Sequence, residues 1–290
     1  MNETAFIAAL RSLDLSDAAR NLEDDAAVLE IGGETLVVTH DSMVEGIHFL
    51  PGQDPADVAW KLVATNLSDL AAKGAMPVGV LLSYMLGDEN ERFIAGLRDV
   101  LAHFEVPLIG GDTVRGGPPR TFGLTAIGRA TSMPVPARSG ARPGDALYLC
   151  GNVGAAMMEF EALENGKEVA IGTYRRPHPL LAEGAALAAQ VTAMMDVSDG
   201  LLLDASRIAR ASGVTIDIAT ESVPIEAPAN RRADTLRWGD DYALLFTLRP
   251  GTKPAAASAR IGRVLDLSGS PLLLDGKPPA DGDALGYIHH

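Results

Sequence analysis

Residues 194–212 read MMDVSDGLLLDASRIARAS and place three acids, Asp196, Asp199 and Asp204, in an otherwise apolar segment. Proteins bury Met, Val and Leu, and a buried carboxylate costs free energy unless it is paired with a cation or bound to a metal. The segment offers Ser198 or Asp199 as the N-cap of the apolar helix that follows, with free backbone amides as an anion site. An ordinary cap explains the same residues, and the two readings are compatible.

The segments around this stretch alternate between strand and helix patterns. Apolar and β-branched runs predict strands at 35–42, 78–87, 121–130, 146–151, 213–219, 242–248, 259–265 and 270–276. Amphipathic spacing predicts helices at 54–75, 88–104, 155–163 and 180–191. Three prolines and two glycines in 132–145 mark the best boundary. We therefore predict an α/β (α+β) fold with two domains, residues 1–135 and 136–290.

Composition excludes several classes of protein. The chain has 290 residues, 47% of them hydrophobic, and a formal net charge of −14, which argues against binding to nucleic acid or to an anionic membrane. Its single cysteine, Cys150, rules out an intrachain disulfide and a Cys-rich zinc site, and its apolar neighbours predict a core position. No apolar run is long enough to span a membrane, and the N-terminus lacks a signal pattern, so we expect a cytoplasmic protein.

Acidic residues recur where the pattern predicts strand ends, helix starts or turns. They are Asp24, Asp25, Asp41, Asp69, Asp112, Asp196 and Asp199. Taken singly, each is explained as a cap or turn residue. Mg²⁺ prefers oxygen ligands and combines carboxylates with substrate phosphates. Taken together, the acids favour a shared magnesium site.

Three further groups are candidates for the same site. In LIGGDTVRGG (108–117) we expect a short strand followed by a glycine-rich loop, whose amides and Arg115 could bind phosphate; a hairpin turn is the alternative. Asn66 and Asp69 share one face of a predicted helix and form either a solvated stripe or a ligand pair. His48 lies in a predicted loop, where a lone histidine is more often structural than catalytic.

The common nucleotide and hydrolase motifs are missing from the sequence. It contains no G-x-x-x-x-G-K-[ST] loop, no G-x-G-x-x-G fingerprint, no H-E-x-x-H and no G-x-S-x-G. A protein of this sequence that handles nucleotide phosphates would use distributed acids and magnesium.

Seven motifs, in order along nearly the whole chain, resemble those of the thiamine-monophosphate kinase family. They are DDAAVL (24–29), THDSMVEGIHF (39–49), NLSDLAAKGA (66–75), LIGGDTVRG (108–116), RSGARPGD (138–145), DVSDGL (196–201) and GDDYALLF (239–246). The family belongs to the superfamily of aminoimidazole ribonucleotide synthetase. The resemblance implies two α/β domains, a homodimer formed through N-terminal sheets, and ATP bound with several Mg²⁺ ions in an acidic cleft.

The resemblance also assigns roles residue by residue. The implied metal ligands are Asp25, Thr39, His40, Asp41, Asp69, Asp112, Asp196 and Asp199, with Thr39 and His40 contributing backbone or side chain. The implied ATP contacts are Gly111, Asp112, Arg138 and Ser198, and the implied substrate contacts are His48, Asp240 and Tyr287. Asp204 is expected to be structural.

The chain departs from the family pattern at a few positions. Glu23 stands where a glycine is usual, His40 where threonine is usual, and Asp240 where glutamate is usual. Ala284 replaces an aromatic residue near the substrate, and the nearby Tyr287 could substitute for it.

The implied reaction is the last step of thiamine diphosphate synthesis. A phosphate oxygen of thiamine monophosphate attacks the γ-phosphate of ATP in line, and no side chain acts as a covalent nucleophile. Two alternatives stay open at this point: another ATP-using enzyme of the superfamily, and a catalytically silent nucleotide-binding module.

Overall fold

The computed structural model describes residues 3–280 and 282–289, which form two β-sheets with helices packed against them. The first sheet has the strand order β1-β2-β5-β3-β4, and the second has the order β11-β8-β10-β6-β9-β7. The strands are β1 (Ala27–Ile31), β2 (Glu34–Val44), β3 (Ala75–Met85), β4 (Leu108–Val114), β5 (Thr121–Ala130), β6 (Ala146–Cys150), β7 (Ala193–Asp196), β8 (Thr215–Ile218), β9 (Leu244–Leu248), β10 (Ala259–Leu265) and β11 (Leu272–Leu274). The helices are α1 (Glu3–Leu10), α2 (Pro55–Ala72), α3 (Asn90–His103), α4 (Ala155–Glu164), α5 (Leu181–Leu187), α6 (Leu201–Ser212) and α7 (Arg232–Thr235).

Helix α2 is the central element of the fold. Its start is set by Asp54, whose side chain accepts the Ala56 N–H at 2.9 Å, and by Pro55 in the first turn. It ends at Gly74, whose φ of 57° is a conformation that glycine adopts without strain.

Both halves of the molecule bury α2. Leu62, Leu67 and Leu70 pack in the core beneath the first sheet, whereas Ala71 and Ala72 belong to a second core with residues of the other half. All of its residues except Trp60 and Asp69 are buried, so neighbouring elements cover the helix on nearly every side. Helix α2 therefore joins the two sheets into one packed body.

Helices α2 and α5 approach each other closely because α5 carries a glycine at the contact. A Cβ atom added to Gly184 would lie 2.0 Å from the backbone oxygen of Ala71. Real Cβ atoms do not approach so closely, so the two backbones could not pack this way around a larger residue.

The expected strands and helices are observed, with one difference in the glycine-rich segment. Residues 108–114 were expected to leave a strand for a loop, but β4 continues through Gly110, Gly111 and Asp112. The backbone of β3 provides the reason, since β4 pairs with it in parallel from Leu108 to Val114. Strand β4 is the edge of its sheet, and every residue in it is exposed.

Two smaller features of the sequence can be compared with the structure. Cys150 is a buried core residue, as its apolar neighbours predict. Within the described residues, no helix combines the length and the apolar character that a membrane crossing requires.

Candidate active site

A cleft of about 740 Å³ lies between the two halves and collects most of the residues that the sequence singles out. Ten of the candidate site residues line it: Asp24, Asp25, Asp41, His48, Asp69, Arg138, Asp196, Ser198, Asp199 and Asp240. They come from the start of β1, from β2 and the turn after it, from α2, from the end of β7, and from the loops before β6, α6 and β9. Residues more than 200 positions apart in sequence therefore converge on one cavity.

Three carboxylates form the most acidic part of the cleft. One oxygen each of Asp25, Asp69 and Asp196 lies within 4.8 Å of the other two. Each is placed by a different element: Asp25 precedes β1, Asp69 lies on the last turns of α2, and Asp196 ends β7. The Ser68 hydroxyl donates to Asp196 at 2.7 Å and fixes that carboxylate against α2.

The pKa values of these acids reflect their neighbours. Burial raises the pKa of Asp196 to about 8, and the charge of Asp25 adds to the rise. Burial, with the charges of Asp41 and Asp196, also holds the pKa of Asp69 well above its usual value. Burial raises the pKa of Asp41 to about 6, with a contribution from Asp199. Burial and mutual repulsion thus oppose the ionisation of these carboxyl groups. A divalent cation bound among them would stabilise their ionised form.

Asp25 behaves differently because two cations contact it. Burial alone would raise its pKa, but Arg138 and Lys73 lower the value to about 2. The Arg138 Nε lies 2.7 Å from one carboxylate oxygen, and the Lys73 Nζ lies 2.6 Å from the other. Lys73 also binds Asp24, and Asp24 is in addition paired with Arg20. The two adjacent acids thus both line the cleft and share Lys73 as a partner, and Arg138 is paired with Asp25.

Strand β2 brings Thr39 and Asp41 to the cleft but not the His40 side chain. Alternate residues of a strand face opposite sides of the sheet. The Thr39 hydroxyl donates to Asp69, whereas the His40 Nδ1 lies 2.8 Å from the Thr125 hydroxyl on the other face. The expected metal role of His40 therefore cannot use its imidazole, and only its backbone is near the cleft.

Asn66 supports this arrangement from α2. Its side-chain oxygen accepts the backbone N–H of Asp41 at 3.0 Å, and its amide nitrogen donates to Leu62 O at 2.9 Å. Of the two readings of the Asn66 and Asp69 pair, the solvated stripe is wrong, because Asn66 is fully buried.

Gly111 and Asp112 lie outside the cleft of this chain. Both are on β4, exposed, at the far edge of the first sheet, and neither is among the described residues that line the cavity. Arg115 follows them and is also exposed. Their expected contact with ATP and metal is not made within a single chain, because β5 and β3 separate this strand from β2, which carries Asp41.

The start of α6 differs from the expected cap. Gly200 occupies the N-cap position and no side chain caps the helix, so the assignment of Ser198 or Asp199 as the cap is wrong. Instead, the Asp204 carboxylate accepts the Asp199 N–H at 3.2 Å. Arg207 binds Asp199 at 2.6 Å and Asp204 at 2.7 Å. Asp204 is structural, as expected, and Ser198 lines the cavity without capping the helix.

The same cleft also holds His48 and Asp240, two of the residues expected to contact the substrate. The His48 Nδ1 accepts the Val44 N–H at 3.0 Å, which places the ring proton on Nε2. Burial lowers the pKa of His48, so the imidazole is neutral. One oxygen of Asp240 accepts the Tyr242 hydroxyl at 2.9 Å. Tyr287 does not line the cavity but lies next to it. Its ring packs on His289, which lines the cavity beside His48.

Sequence reasoning missed three cations, Lys61, Lys73 and Arg207. Both lysines lie on or directly after α2 and are almost fully buried. A lysine in an otherwise apolar helix is a usable signal, because a buried ammonium needs a carboxylate partner. Arg207 could have been found from its spacing, three residues after Asp204 on one helix face.

Comparisons with known proteins agree with this geometry. The sequence model described as AIR synthase related protein, N-terminal domain, matches residues 23–130, and the corresponding C-terminal domain matches residues 142–264. The thiamine-monophosphate kinase of Salmonella typhimurium is 35% identical, over 94% of this chain and 88% of that one.

Two solved structures are similar over most of their length. The structure of AaThiL complexed with AMPPCP and TMP has a TM-score of 0.88 at 27% identity, and the match covers 100% of this chain and 97% of that one. The thiamine-monophosphate kinase of Stenotrophomonas maltophilia K279a has a TM-score of 0.75 at 33% identity, covering 89% and 94%.

Proposed function

Since the chain belongs to the AIR synthase related family and, within it, to the thiamine-monophosphate kinases, we propose that it transfers the γ-phosphate of ATP to thiamine monophosphate. The products are thiamine diphosphate and ADP. The observation that carries this proposal is the cleft itself, where carboxylates and arginines line the same cavity as His48 and Asp240. A cleft with both groups of residues can hold a nucleotide and a second phosphorylated molecule together.

Magnesium fits the acidic end of the cleft. Asp25, Asp69 and Asp196 supply the carboxylate oxygens that this ion prefers, already gathered within 4.8 Å. Asp41 and Asp199 line the same cavity and are further ligands in our assignment. Magnesium bound there would neutralise phosphate charge during transfer.

The side chains of this protein have positioning and electrostatic roles. The attacking group is a phosphate oxygen, which is nucleophilic without a strong base, so the chain needs no covalent or general-base residue. Arg138 lines the cavity and is our candidate for binding ATP phosphates, with Ser198 beside it. The neutral His48 offers its Nε2–H as a donor to the acceptor molecule.

We also propose a homodimer that covers β4. This edge strand exposes Leu108, Ile109 and Val114, which are between 47% and 52% exposed in the single chain. Large exposed apolar side chains on an unpaired edge favour association. In that assembly Gly111 and Asp112 would no longer face solvent. Light scattering on the purified protein should give twice the chain mass, and a monomer would contradict this part.

Two further assignments are proposals of the same kind. We place the boundary between the domains at residues 135 and 136, in the proline-rich stretch between the two regions that match the family. The cytoplasmic location follows from the sequence prediction and from the pathway that the proposed reaction serves.

The test of the proposed function is an assay with ATP, Mg²⁺ and thiamine monophosphate that separates thiamine diphosphate by chromatography. Asp196→Asn removes a carboxylate from the cleft and should lower kcat by at least about 100-fold, in line with the loss of a group that stabilises transferring phosphate. Asp266→Asn is the matched control, since Asp266 is exposed and distant from the cleft, and it should retain full activity. ADP without thiamine diphosphate would indicate a different acceptor, and no ADP would contradict a kinase.

A further inference from the structure

Lys61 is a buried cation at the substrate end of the cleft whose surroundings are fully defined. It lies on α2 and is only 1% exposed. Its Nζ is 2.9 Å from Asp240 Oδ2 and 2.9 Å from the backbone oxygen of His48, and it lies 3.9 Å from the centre of the Tyr174 ring. An ammonium has three N–H donors. Two of these donors have acceptors in His48 and Asp240, and the Tyr174 ring lies beside the ammonium, so the protein itself supplies the partners of the Lys61 charge.

The two hydrogen-bond partners of Lys61 belong to different halves of the protein. His48 lies in the turn after β2. Asp240 lies in the loop before β9 and has a left-handed φ of 62°. Its backbone N–H donates to Ser198 O at 2.8 Å. Lys61 is the side chain that connects the His48 turn to this loop across the cleft.

Lys61 also helps to fix the orientation of the Asp240 carboxylate. One oxygen of the carboxylate binds Lys61 and the other accepts the Tyr242 hydroxyl. Burial, with the charge of Asp240 added, holds the pKa of Tyr242 well above its usual value, so this hydroxyl remains a donor. These two donors fix the orientation of the Asp240 carboxylate. An aspartate on a loop without such donors would not keep one orientation.

Tyr174 limits the movement of Lys61 from the other side. The Tyr174 backbone N–H donates to the buried Glu159 at 2.7 Å, and Glu159 also binds Arg175 at 2.6 Å. The aromatic ring is thereby held in place by the segment that carries it. A cation over the face of such a ring is attracted by the negative charge of that face, and the attraction is stronger where water is excluded.

We propose that Lys61 is a positioning residue that sets the relation between His48 and Asp240, and through them the affinity for thiamine monophosphate. The proposal rests on the proposed function, which it deepens. Lys61 acts on the acceptor and not on ATP, because its two hydrogen-bond partners are His48 and Asp240, the residues that we assign to thiamine monophosphate. Substitution of Lys61 should therefore weaken the binding of thiamine monophosphate and leave the binding of ATP unchanged.

The experiment compares Lys61→Met with wild type in steady-state kinetics and in calorimetric binding of thiamine monophosphate and of AMPPCP. We expect the KM for thiamine monophosphate to rise at least tenfold, while the KM for ATP and the Kd for AMPPCP stay within twofold. Lys61→Arg keeps the charge and should lie between wild type and Lys61→Met. Lys253→Met, a change at an exposed lysine outside the cleft, is the matched control and should match wild type.

A double variant tests whether Lys61 acts through Asp240. Because Asp240→Asn removes the charge that Lys61 orients, Lys61→Met with Asp240→Asn should be no worse than the weaker-binding single variant. Effects that multiply would overturn the proposal, as would an equal loss for both substrates. If Lys61→Met does not fold, Lys61→Arg decides alone, and an unchanged KM for thiamine monophosphate overturns the proposal.

The outcomes separate this inference from the proposed function. If wild type forms thiamine diphosphate and Lys61→Met keeps its KM, only the role of Lys61 fails. If wild type neither binds nor phosphorylates thiamine monophosphate, both proposals fail.

Discussion

Asp25 and Asp196 show how the same residue type acquires opposite properties in one cleft. Their carboxylates are close enough to share a ligand. Arg138 and Lys73 contact Asp25, and its pKa falls to about 2 despite its burial. Asp196 has a serine hydroxyl and like charges for neighbours, and burial raises its pKa to about 8. The site is therefore ready to hold a cation. Asp25 is already ionised, and a bound cation would stabilise the ionised form of the other carboxylates.

The raised pKa of Asp196 predicts a pH dependence in metal-free protein. The folded state retains a proton on Asp196 that the unfolded chain releases near its ordinary pKa of 3.8, so stability falls as pH rises from about 4 to about 8. Asp196→Asn removes the charge and should be more stable than wild type at pH 8 in EDTA, by about 1 kcal/mol or more. Urea denaturation at pH 5 and pH 8 measures this.

Added Mg²⁺ provides the control for the same prediction. It should stabilise wild type more at pH 8 than at pH 5 and should do little for Asp196→Asn, because a bound cation favours the ionised carboxylates. A wild-type protein whose metal-free stability is the same at both pH values would contradict the prediction.

At the residue scale, the sequence predicted the acids well and their partners poorly. Asp25, Asp41, Asp69 and Asp196 were identified from their position beside apolar elements, and all four line the cleft. The alternation along β2 could have excluded the His40 side chain. The pairing of Asp25 with Lys73 could not be predicted, because it joins residues 48 positions apart through the packing of α2 on the first sheet.

Among the elements, α2 and α5 depend on each other through Gly184. A Cβ at this position would meet the Ala71 backbone oxygen at 2.0 Å, so Gly184→Ala forces the helices apart. We expect a loss of about 1–3 kcal/mol in the free energy of unfolding, the usual cost of overpacking. Gly269→Ala is the matched control, since nothing lies within 4 Å of its added methyl group, and it should change stability by less than about 0.5 kcal/mol. Equal effects of the two substitutions in thermal denaturation would contradict the prediction.

Strand β4 shows the limit of reading elements from local composition. Its apolar start predicts only a short strand, and its glycines favour a loop after that start. The strand forms because β3 offers a parallel partner. A parallel pair needs a crossover connection, here through α3, and such a pairing is determined by tertiary structure.

The whole molecule should unfold as one unit although it contains two sheets. Ionic contacts from α2 reach the second half at Arg176 and Asp57, 2.6 Å apart, and at Lys61 and Asp240, 2.9 Å apart. Neither half buries α2 by itself. We expect one transition in differential scanning calorimetry, with equal calorimetric and van't Hoff enthalpies. Two resolved transitions would show that the halves are independent.

At this scale the sequence predicted two α/β halves but not their interlocking. The composition of 132–145 marks a change of segment, and family matches end and restart on either side of it. The burial of α2 by both halves could not be seen, because an apolar helix pattern does not state which neighbour covers each face.

The shared helix also has a consequence for synthesis on the ribosome. The first half emerges before the residues that cover Ala71 and Ala72 have been translated. Strand β10 lies between β8 and β6, so the second sheet cannot close until residues 259–265 have left the exit tunnel. For most of its translation the nascent chain therefore carries an uncovered apolar helix face. Chaperones that bind such faces should be retained until the chain is almost complete.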